Sequence, residues 1–237
     1  MSDWKAKRFW KEAAVVALEE GYTVELDGRR VKTPAKRPLT LPTRAMAEAV
    51  AAEWQAQDKQ IDPRTMPVTK TANAAIDKVA VQKQEVAAML AAYGDSDLLC
   101  YRADSPEELV ARQAALWDPI LDWAEGCLGV KLETRQGIMH APQAPDALEE
   151  LHRRTAALDP FELAAFHDLV SLTGSLILGF AALEQAYDPE KIWAVSRLDE
   201  TWQAEQWGRD DVAEAEAEIK RQAFLHACAM IVLSRAG

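Results

Sequence analysis

Three side chains near the C-terminal end of the sequence have the composition of a protein-recognition surface. Trp193, Glu200 and Trp207 are spaced seven residues apart, so on one continuous helix the carboxylate would lie between two indoles along one side. Flat aromatic rings supply contact area at low entropic cost, and a carboxylate among them accepts an arginine fork. Asp199 and Gln203 border the apolar arc of the same helix. We therefore expect partner-binding residues at these five positions.

The segment that must position these side chains reads as one amphipathic helix from Asp188 to Gly208. Asp188 is a favoured N-cap residue, Pro189 suits the first helical position, and Gly208 is a typical helix end. The helical period places an apolar arc toward the core, formed by Ile192, Val195, Leu198 and Trp202. Tryptophan is also a common core residue. Structural use of the row, with Glu200 paired to Arg197 or capping a neighbouring helix inside the same chain, therefore stays open beside intermolecular use.

Signatures of catalysis are weak in this sequence. Ser96 lies on a glycine-flanked turn, but that turn follows an alanine-rich helix rather than the strand that a nucleophilic serine requires. His167 and Asp168 are adjacent, and successive helical side chains diverge by about 100°, so we expect no base and orienter pair there. The histidines and cysteines show no metal-binding spacing. We predict no catalytic residue, no metal site and no cofactor.

The overall composition restricts the class of partner. The chain has 237 residues, 49% hydrophobic content and a formal net charge of −11, which is enough for a sizeable core and opposes binding to nucleic acid or anionic membranes. The apolar stretch 169–183 is too short for a membrane span, and the first residues contain no apolar signal region. We expect a protein partner with a basic surface, no membrane insertion, and a reducing compartment.

The N-terminal part predicts a small antiparallel or mixed β-sheet covered by a helix. Residues 13–42 contain short alternating runs typical of three or four strands, and Asp27-Gly28 is a favoured hairpin dipeptide. Thr43 then caps an alanine-rich helix. We place this α/β domain at residues 1–66.

Residues 67–237 predict a larger all-helical domain, so the expected fold class is α+β. One long helix should run over residues 69–93 and stop at Gly94. Three Ser/Asp-Pro cap signals then start helices at Ser105, Asp159 and Asp188, the first running to about residue 125 and the second to about residue 185. The last helix begins near residue 209. Gly174 and Gly179 suggest close helix packing.

Several blocks of the sequence together resemble the assembly chaperones of the ATP synthase alpha subunit, the family usually called ATP-twelve. The matching blocks are RFWK at 8–11, VELDGRRVKTP at 24–34, LTLPT at 39–43, EWQAQ at 53–57 with IDPRTMPVT at 61–69, SDLLCYRA at 96–103, WDPILDW at 117–123 and SRLDETWQAEQWG at 196–208. These blocks span nearly the whole chain, and their order and number make the match specific.

The resemblance implies a small mixed N-terminal domain, a helical C-terminal domain and a chaperone that holds the new alpha subunit until the beta subunit replaces it. The acidic position of the SRLDE block falls on Asp199 or Glu200, and the row of tryptophans favours Glu200. Eukaryotic members carry an extension that targets them to the mitochondrial matrix, whereas this sequence begins almost directly at the RFWK block. The resemblance therefore implies a bacterial cytoplasmic form. A hydrolase using Ser96 with a distant histidine and a permanent scaffold subunit are the alternatives.

Overall fold

A computed structural model describes residues 7–137 and 139–236. These residues form two compact units, one built from residues 7–83, 159–165 and 229–236, the other from residues 84–158 and 166–228. The sequence predicts a domain boundary between residues 66 and 67. Compact units do not establish which parts fold independently, so this boundary stays a prediction. Within the described ranges, no helix has both the length and the apolar composition needed to cross a membrane.

The first unit contains the predicted sheet. Strands β1 (Ala13–Ala17), β2 (Tyr22–Leu26) and β3 (Arg29–Arg30) are antiparallel in that order, with Ala13 opposite Leu26. Asp27 and Gly28 both have positive φ, 48° and 79°, as the tight turn between twisted strands requires. The hairpin predicted from this dipeptide is therefore confirmed.

Helix α1 (Arg44–Gln55) packs on this sheet. The Thr43 hydroxyl accepts the Met46 N–H at 3.1 Å, which is the N-cap bond that the sequence predicts. Met46 and Val50 of the helix are fully buried, as is Val24 of the sheet. The apolar stripe of the helix and the inner face of the sheet thus form one core.

Two of the family-like blocks hold the chain around α1 in place. The Arg8 guanidinium donates to the backbone carbonyls of Trp10, Lys11, Gln55 and Gln57. The Glu53 carboxylate accepts the N–H groups of Val68 and Thr69, each at 2.7 Å, at the start of helix α2 (Pro67–Ala74). A carboxylate is favourable at that end of a helix.

The long helix predicted over residues 69–93 is interrupted, so that prediction is wrong in its continuity. Helix α2 ends at Ala74, a π turn covers Ala75–Val79, and helix α3 (Lys83–Ala91) follows. The Ala80 N–H bonds to the Ala75 carbonyl five residues back, and the Val81 N–H bonds to Lys78. These bonds replace the regular ladder, and the chain changes direction before α3.

The remaining helices are α4 (Glu107–Trp123), α5 (Pro145–Ala157), α6 (Pro160–Thr173), α7 (Leu176–Leu183), α8 (Pro189–Ser196), α9 (Leu198–Trp207) and α10 (Asp211–Arg235). Helices α6 and α10 contribute residues to both units. A two-residue parallel pairing joins β4 (Tyr101–Arg102) to β5 (Arg135–Gln136), which the sequence did not predict. The small antiparallel sheet and the larger helical part confirm the α+β fold class.

The predicted serine cap at Ser105 is wrong. Helix α4 begins at Glu107, and no side chain caps it. The Ser105 hydroxyl donates to the Asp104 carboxylate at 3.2 Å instead. The Asp104 carboxylate thus competes with the helix end for the Ser105 hydroxyl. Such local competition decides whether a short polar side chain caps a helix.

The apolar segment 159–185 forms two helices rather than the single one predicted. Gly174 has a φ of +69°, which ends α6, and the Ser175 hydroxyl accepts the Leu178 N–H at 3.0 Å to start α7. All eight residues of α7 are buried. The glycine and the new cap turn the chain without exposing apolar surface.

Candidate functional site

Helix α9 is attached to α4 by polar side chains. Arg112 and Glu205 form a two-pronged ion pair with N–O distances of 2.6 and 3.0 Å, and the same guanidinium lies 6.0 Å from the Trp202 ring centre. The hydrogen bond lowers the pKa of Glu205 and raises that of Arg112. Gln113 donates to Asp199 at 2.8 Å. These contacts fix the position of α9 relative to α4.

A groove of about 640 Å³ lies beside this contact. It is formed by the chain segment before α4, the first turns of α4 and one face of α9. Its lining residues are Tyr101, Arg102, Ala103, Asp104, Ser105, Pro106, Leu109, Gln113, Gly137, Asp199, Trp202, Gln203, Gln206 and Trp207. The groove therefore combines aromatic rings with carboxylate and amide groups.

The carboxylates of the groove are held by uncharged donors. Asp199 accepts from the Gln113 amide, whose oxygen in turn accepts the Ala103 N–H at 2.8 Å. Asp104 accepts from the Ser105 hydroxyl. Both carboxylates thus line the groove with hydrogen bonds that orient them without neutralising their charge.

The one cation among the lining residues is already engaged. The Arg102 guanidinium lies 2.7 Å from the Asp118 carboxylate and donates to the Leu99 carbonyl at 2.7 Å. It also lies 5.3 Å from the Trp117 ring centre. Since its partners are an acid, a carbonyl and an indole, Arg102 adds little positive charge to the groove.

The helix predicted from Asp188 to Gly208 is broken at Arg197, so the prediction of one continuous helix is wrong. Arg197 has φ −107° and ψ 19°, and it separates α8 from α9. The Ser196 hydroxyl donates to the Trp193 carbonyl at 2.7 Å, and the Trp117 indole donates to the Val195 carbonyl at 3.0 Å. Side chains thus compete for carbonyls of the helical ladder.

This break removes the predicted row of tryptophans. Trp193 is only 7% exposed and packs against Phe224, with ring centres 5.8 Å apart, whereas Trp207 is 79% exposed. Trp193 is therefore a core residue, and the expectation that it faces a partner is wrong. The two indoles do not form one exposed row with Glu200, because Trp193 is buried in the core and the helix ends between them.

The acidic and amide residues predicted for this surface all belong to α9. The Glu200 carboxylate lies 2.7 Å from the Arg197 guanidinium, with 49% of its side chain exposed. Asp199 is half-buried in the groove wall, and Gln203 is an exposed lining residue. The structure thus brings Asp199, Gln203 and Trp207 to the groove, while Glu200 forms the internal ion pair that the structural alternative predicts.

Several groove residues were missed by the sequence reasoning. Tyr101, Asp104 and Gln113 come from the segment before α4 and from α4 itself, far from α9 in sequence. Trp202 was assigned to the apolar arc of the predicted helix. The SDLLCYRA block was the one available signal, because it includes Tyr101, although it gives no indication of the contact with α9.

The features considered for catalysis have structural roles. Ser96 is an exposed residue that ends a 3-10 turn, and no hydrogen bond joins it to a histidine within the described ranges. The adjacent Asp97 is fully buried and accepts from the Leu99 N–H at 3.0 Å. Among the residues described, no cluster of histidine, cysteine, aspartate and glutamate side chains could hold a metal ion.

His167 and Asp168 do form a pair, contrary to the expectation from their adjacency. His167 Nδ1 lies 2.9 Å from Asp168 Oδ1, and this hydrogen bond raises the pKa of His167. Rotation about the side-chain bonds offsets the divergence of the two backbone positions. The pair lies on α6 and not in the groove.

Comparison with known proteins identifies relatives of this chain. A model of the family described as ATP12 chaperone protein matches residues 7–125. The chain is 28% identical to the protein atp12, mitochondrial, of Schizosaccharomyces pombe over 225 residues, which cover 90% of this chain and 77% of the relative.

Solved structures support the same relationship. Atp12 from Paracoccus denitrificans is 49% identical and superposes with a TM-score of 0.96 over 98% of this chain and 100% of its own. The Atu1473 protein of Agrobacterium tumefaciens is 42% identical, with a TM-score of 0.89 over 98% of this chain and 86% of its own. The chain therefore belongs to the ATP12 family of chaperone proteins, which confirms both the resemblance seen in its motifs and the prediction of a chaperone.

Proposed function

We propose that this chaperone binds the unassembled alpha subunit of the F-type ATP synthase and covers its subunit interface until the beta subunit replaces it. Membership of the ATP12 family supports this function. The observation that carries it is the open groove beside α9, whose carboxylates have uncharged donors and whose rim exposes Trp207. Such a surface suits a protein segment with apolar and basic side chains.

The proposed partner-binding residues are those of α9 that reach the groove or its rim, namely Asp199, Gln203 and Trp207, with Glu200 beside them. Trp193 supports them indirectly, because it anchors α8 in the core. An unassembled subunit exposes apolar interface area that would otherwise aggregate. Occupying part of that area prevents the wrong associations.

Release needs no nucleotide hydrolysis in this proposal, and the chain is not an enzyme. The beta subunit offers a larger complementary surface than the groove does, so a difference in binding free energy drives the exchange. The net charge of −11 favours the first encounter with a basic surface. Salt weakens this electrostatic attraction by screening the charges.

We infer that the chain acts in a bacterial cytoplasm. The bacterial relatives from Paracoccus denitrificans and Agrobacterium tumefaciens are 49% and 42% identical to it, against 28% for the mitochondrial relative. The three cysteines are unpaired thiols, which is consistent with a reducing compartment.

The test is co-expression of the alpha subunit alone with and without this chain. We expect soluble alpha subunit and a recoverable complex only when the chain is present, and loss of the complex when beta subunit is added. Equal amounts of soluble alpha subunit in both cultures would overturn the proposal. Retention of the chain in the mature ATP synthase would indicate a permanent subunit instead.

The hydrolase alternative is tested in the same culture. The Ser96→Ala variant should hold the alpha subunit as well as the native chain does, because Ser96 is a turn residue outside the groove. The alternative instead predicts a hydrolytic turnover by the native chain that Ser96→Ala abolishes in a variant that remains folded.

A further inference from the structure

We propose that the groove beside α9 binds an arginine side chain, flanked by apolar residues, on the client protein. This inference rests on the proposed function and specifies the chemistry of its binding site. The groove volume of about 640 Å³ lies in the range of sites that enclose small ligands or a few side chains. A short segment of chain can therefore place a side chain in it.

The charge of the groove selects a cation. Asp104 and Asp199 are its lining carboxylates, and each is oriented by an uncharged donor. Arg102, the lining cation, is engaged by Asp118. A positively charged side chain entering the groove therefore meets two acids whose charge is uncompensated by the other lining residues, and an anion would be repelled.

The hydrogen bonding of Asp199 leaves its carboxylate able to bind a cationic side chain of the partner. Gln113 donates to Oδ1 of Asp199, which fixes the orientation of the carboxylate and keeps acceptor capacity on the remaining oxygen. The Gln113 amide is itself fixed by the Ala103 N–H. A carboxylate held in this way needs little reorganisation when a donor arrives.

The aromatic rings favour guanidinium over ammonium. Asp199, Trp202, Gln203 and Gln206 occupy positions i, i+3, i+4 and i+7 of α9, so they share one face. Trp202 already carries the Arg112 guanidinium 6.0 Å from its ring centre, and the 79% exposed Trp207 provides a second indole at the rim. A planar guanidinium both stacks on such rings and forms a fork with a carboxylate, whereas a lysine ammonium acts as a point charge.

The experiment uses three peptides with the full-length chain. The probes are acetyl-Ala-Leu-Arg-Leu-Ala-amide and the same peptide with citrulline or lysine in place of arginine. Citrulline keeps the shape of arginine and lacks its charge. We expect the arginine peptide to bind at least about tenfold more tightly than the citrulline peptide, and more tightly than the lysine peptide. The indole N–H signals of Trp202 and Trp207 should shift on titration.

Two variants identify the carboxylate responsible. Asp199→Asn keeps an oxygen acceptor for Gln113 and removes one of the two lining charges, so it should weaken the preference for arginine over citrulline. Asp122→Asn is the matched control, because Asp122 is an exposed acid on α4 that does not line the groove. It should retain the preference. Circular dichroism and thermal melting check that both variants are folded.

Three results would overturn the inference. The first is that the arginine peptide binds no more tightly than the citrulline peptide or the lysine peptide. The second is an unchanged preference for arginine in Asp199→Asn. The third is that the arginine peptide does not bind at concentrations up to about 5 mM. Co-expression separates this failure from failure of the proposed function. If native chain and Asp199→Asn solubilise the alpha subunit equally, arginine capture is wrong and the chaperone function stands. If the native chain does not solubilise it, the proposed function fails whatever the peptides show.

Discussion

The Asp97 carboxylate accepts a hydrogen bond from the Ser175 hydroxyl at 2.7 Å inside the helical unit. The same carboxylate accepts the backbone N–H groups of Leu99 and Ile177, each at 3.0 Å. It therefore caps the 3-10 turn Leu98–Cys100 and also accepts an N–H from the first turn of α7, which Ser175 caps. Burial raises the pKa of Asp97, and the hydrogen bonds from Ile177, Ser175 and Leu99 oppose that rise. The residue joins segments far apart in sequence through a fully buried acid.

We predict that Asp97→Ala lowers the free energy of unfolding by about 2–4 kcal/mol, because it leaves buried donors without an acceptor. Asp188→Ala is the matched control. Asp188 also caps a helix, but at the surface, where it accepts from Glu190 and Lys191 N–H. That substitution should cost about 1 kcal/mol. Urea denaturation measures both, and equal losses would contradict a special role for the buried cap.

Gly179 permits close packing of α7 against α6. A Cβ at this position would lie 2.6 Å from Val170 Cγ2 and 3.2 Å from Phe166 Cε2, so Gly179→Ala should cost about 1–3 kcal/mol through overpacking. At Gly126 a Cβ would meet no atom within 4 Å, and Gly126→Ala should stabilise the chain by about 0.4–1 kcal/mol. Thermal melts of the two variants should therefore shift in opposite directions. A shift in the same direction would reject the packing account.

The His167–Asp168 pair predicts a pH dependence. Because its hydrogen bond raises the pKa of His167 above 6.5 in the folded state, it contributes stability that is fully present below the unfolded pKa and is lost as the pH rises through the folded pKa. The difference in unfolding free energy between native chain and Asp168→Asn should be larger at about pH 6 than at about pH 8. NMR titration should show a lower His167 pKa in Asp168→Asn. An unchanged pKa would remove Asp168 as its cause.

The two tryptophans of the predicted row should respond oppositely to truncation. Trp193→Ala removes a core indole and should cost about 3–5 kcal/mol of stability. Trp207→Ala alters an exposed side chain and should change stability by less than about 0.5 kcal/mol, while weakening capture of the alpha subunit. Chemical denaturation and pull-down of co-expressed alpha subunit measure these effects. Undiminished capture by Trp207→Ala would exclude this indole from the binding surface.

Asp199 and Glu200 should differ in their effect on client capture. Glu200 is engaged by Arg197, whereas Asp199 faces the groove with an uncharged donor. We expect Asp199→Asn to reduce recovery of the complex more than Glu200→Gln does, with similar melting temperatures for both variants. Quantitative pull-down against a dilution series is the measurement. The reverse order would restore Glu200 as the principal acid.

Local signals in the sequence predicted the elements that depend on local chemistry. Thr43 and Asp188 cap the helices that their positions indicate, and Asp159 forms a reciprocal capping box with Glu162. The Asp27-Gly28 hairpin is also correct. In each case the deciding hydrogen bonds or dihedral angles involve residues within a few positions of one another.

The failures share a different cause. The breaks at Gly174 and Arg197 accompany bonds from distant residues, including Asp97 to α7 and Trp117 to the end of α8. Apolar periodicity continues through both breaks, so the sequence pattern alone predicted uninterrupted helices. The groove was missed for the same reason, because Tyr101 and Gln113 meet α9 only through tertiary packing. Helix propensity depends on the residues of the segment itself, whereas tertiary contacts with distant side chains determine where the helix is interrupted.

The interruption at Arg197 gives the two halves of this segment different packing environments. Helix α8 packs into the core through Ile192, Trp193 and Val195, which are nearly inaccessible to solvent. Positions in α9 such as Gln203 and Trp207 are surface residues. Substitutions at the exposed positions of α9 can therefore change the surface that this helix presents, while α8 keeps its packing in the core. A protein engineer could randomise the outer positions of α9 as a library of new specificities without redesigning the interior.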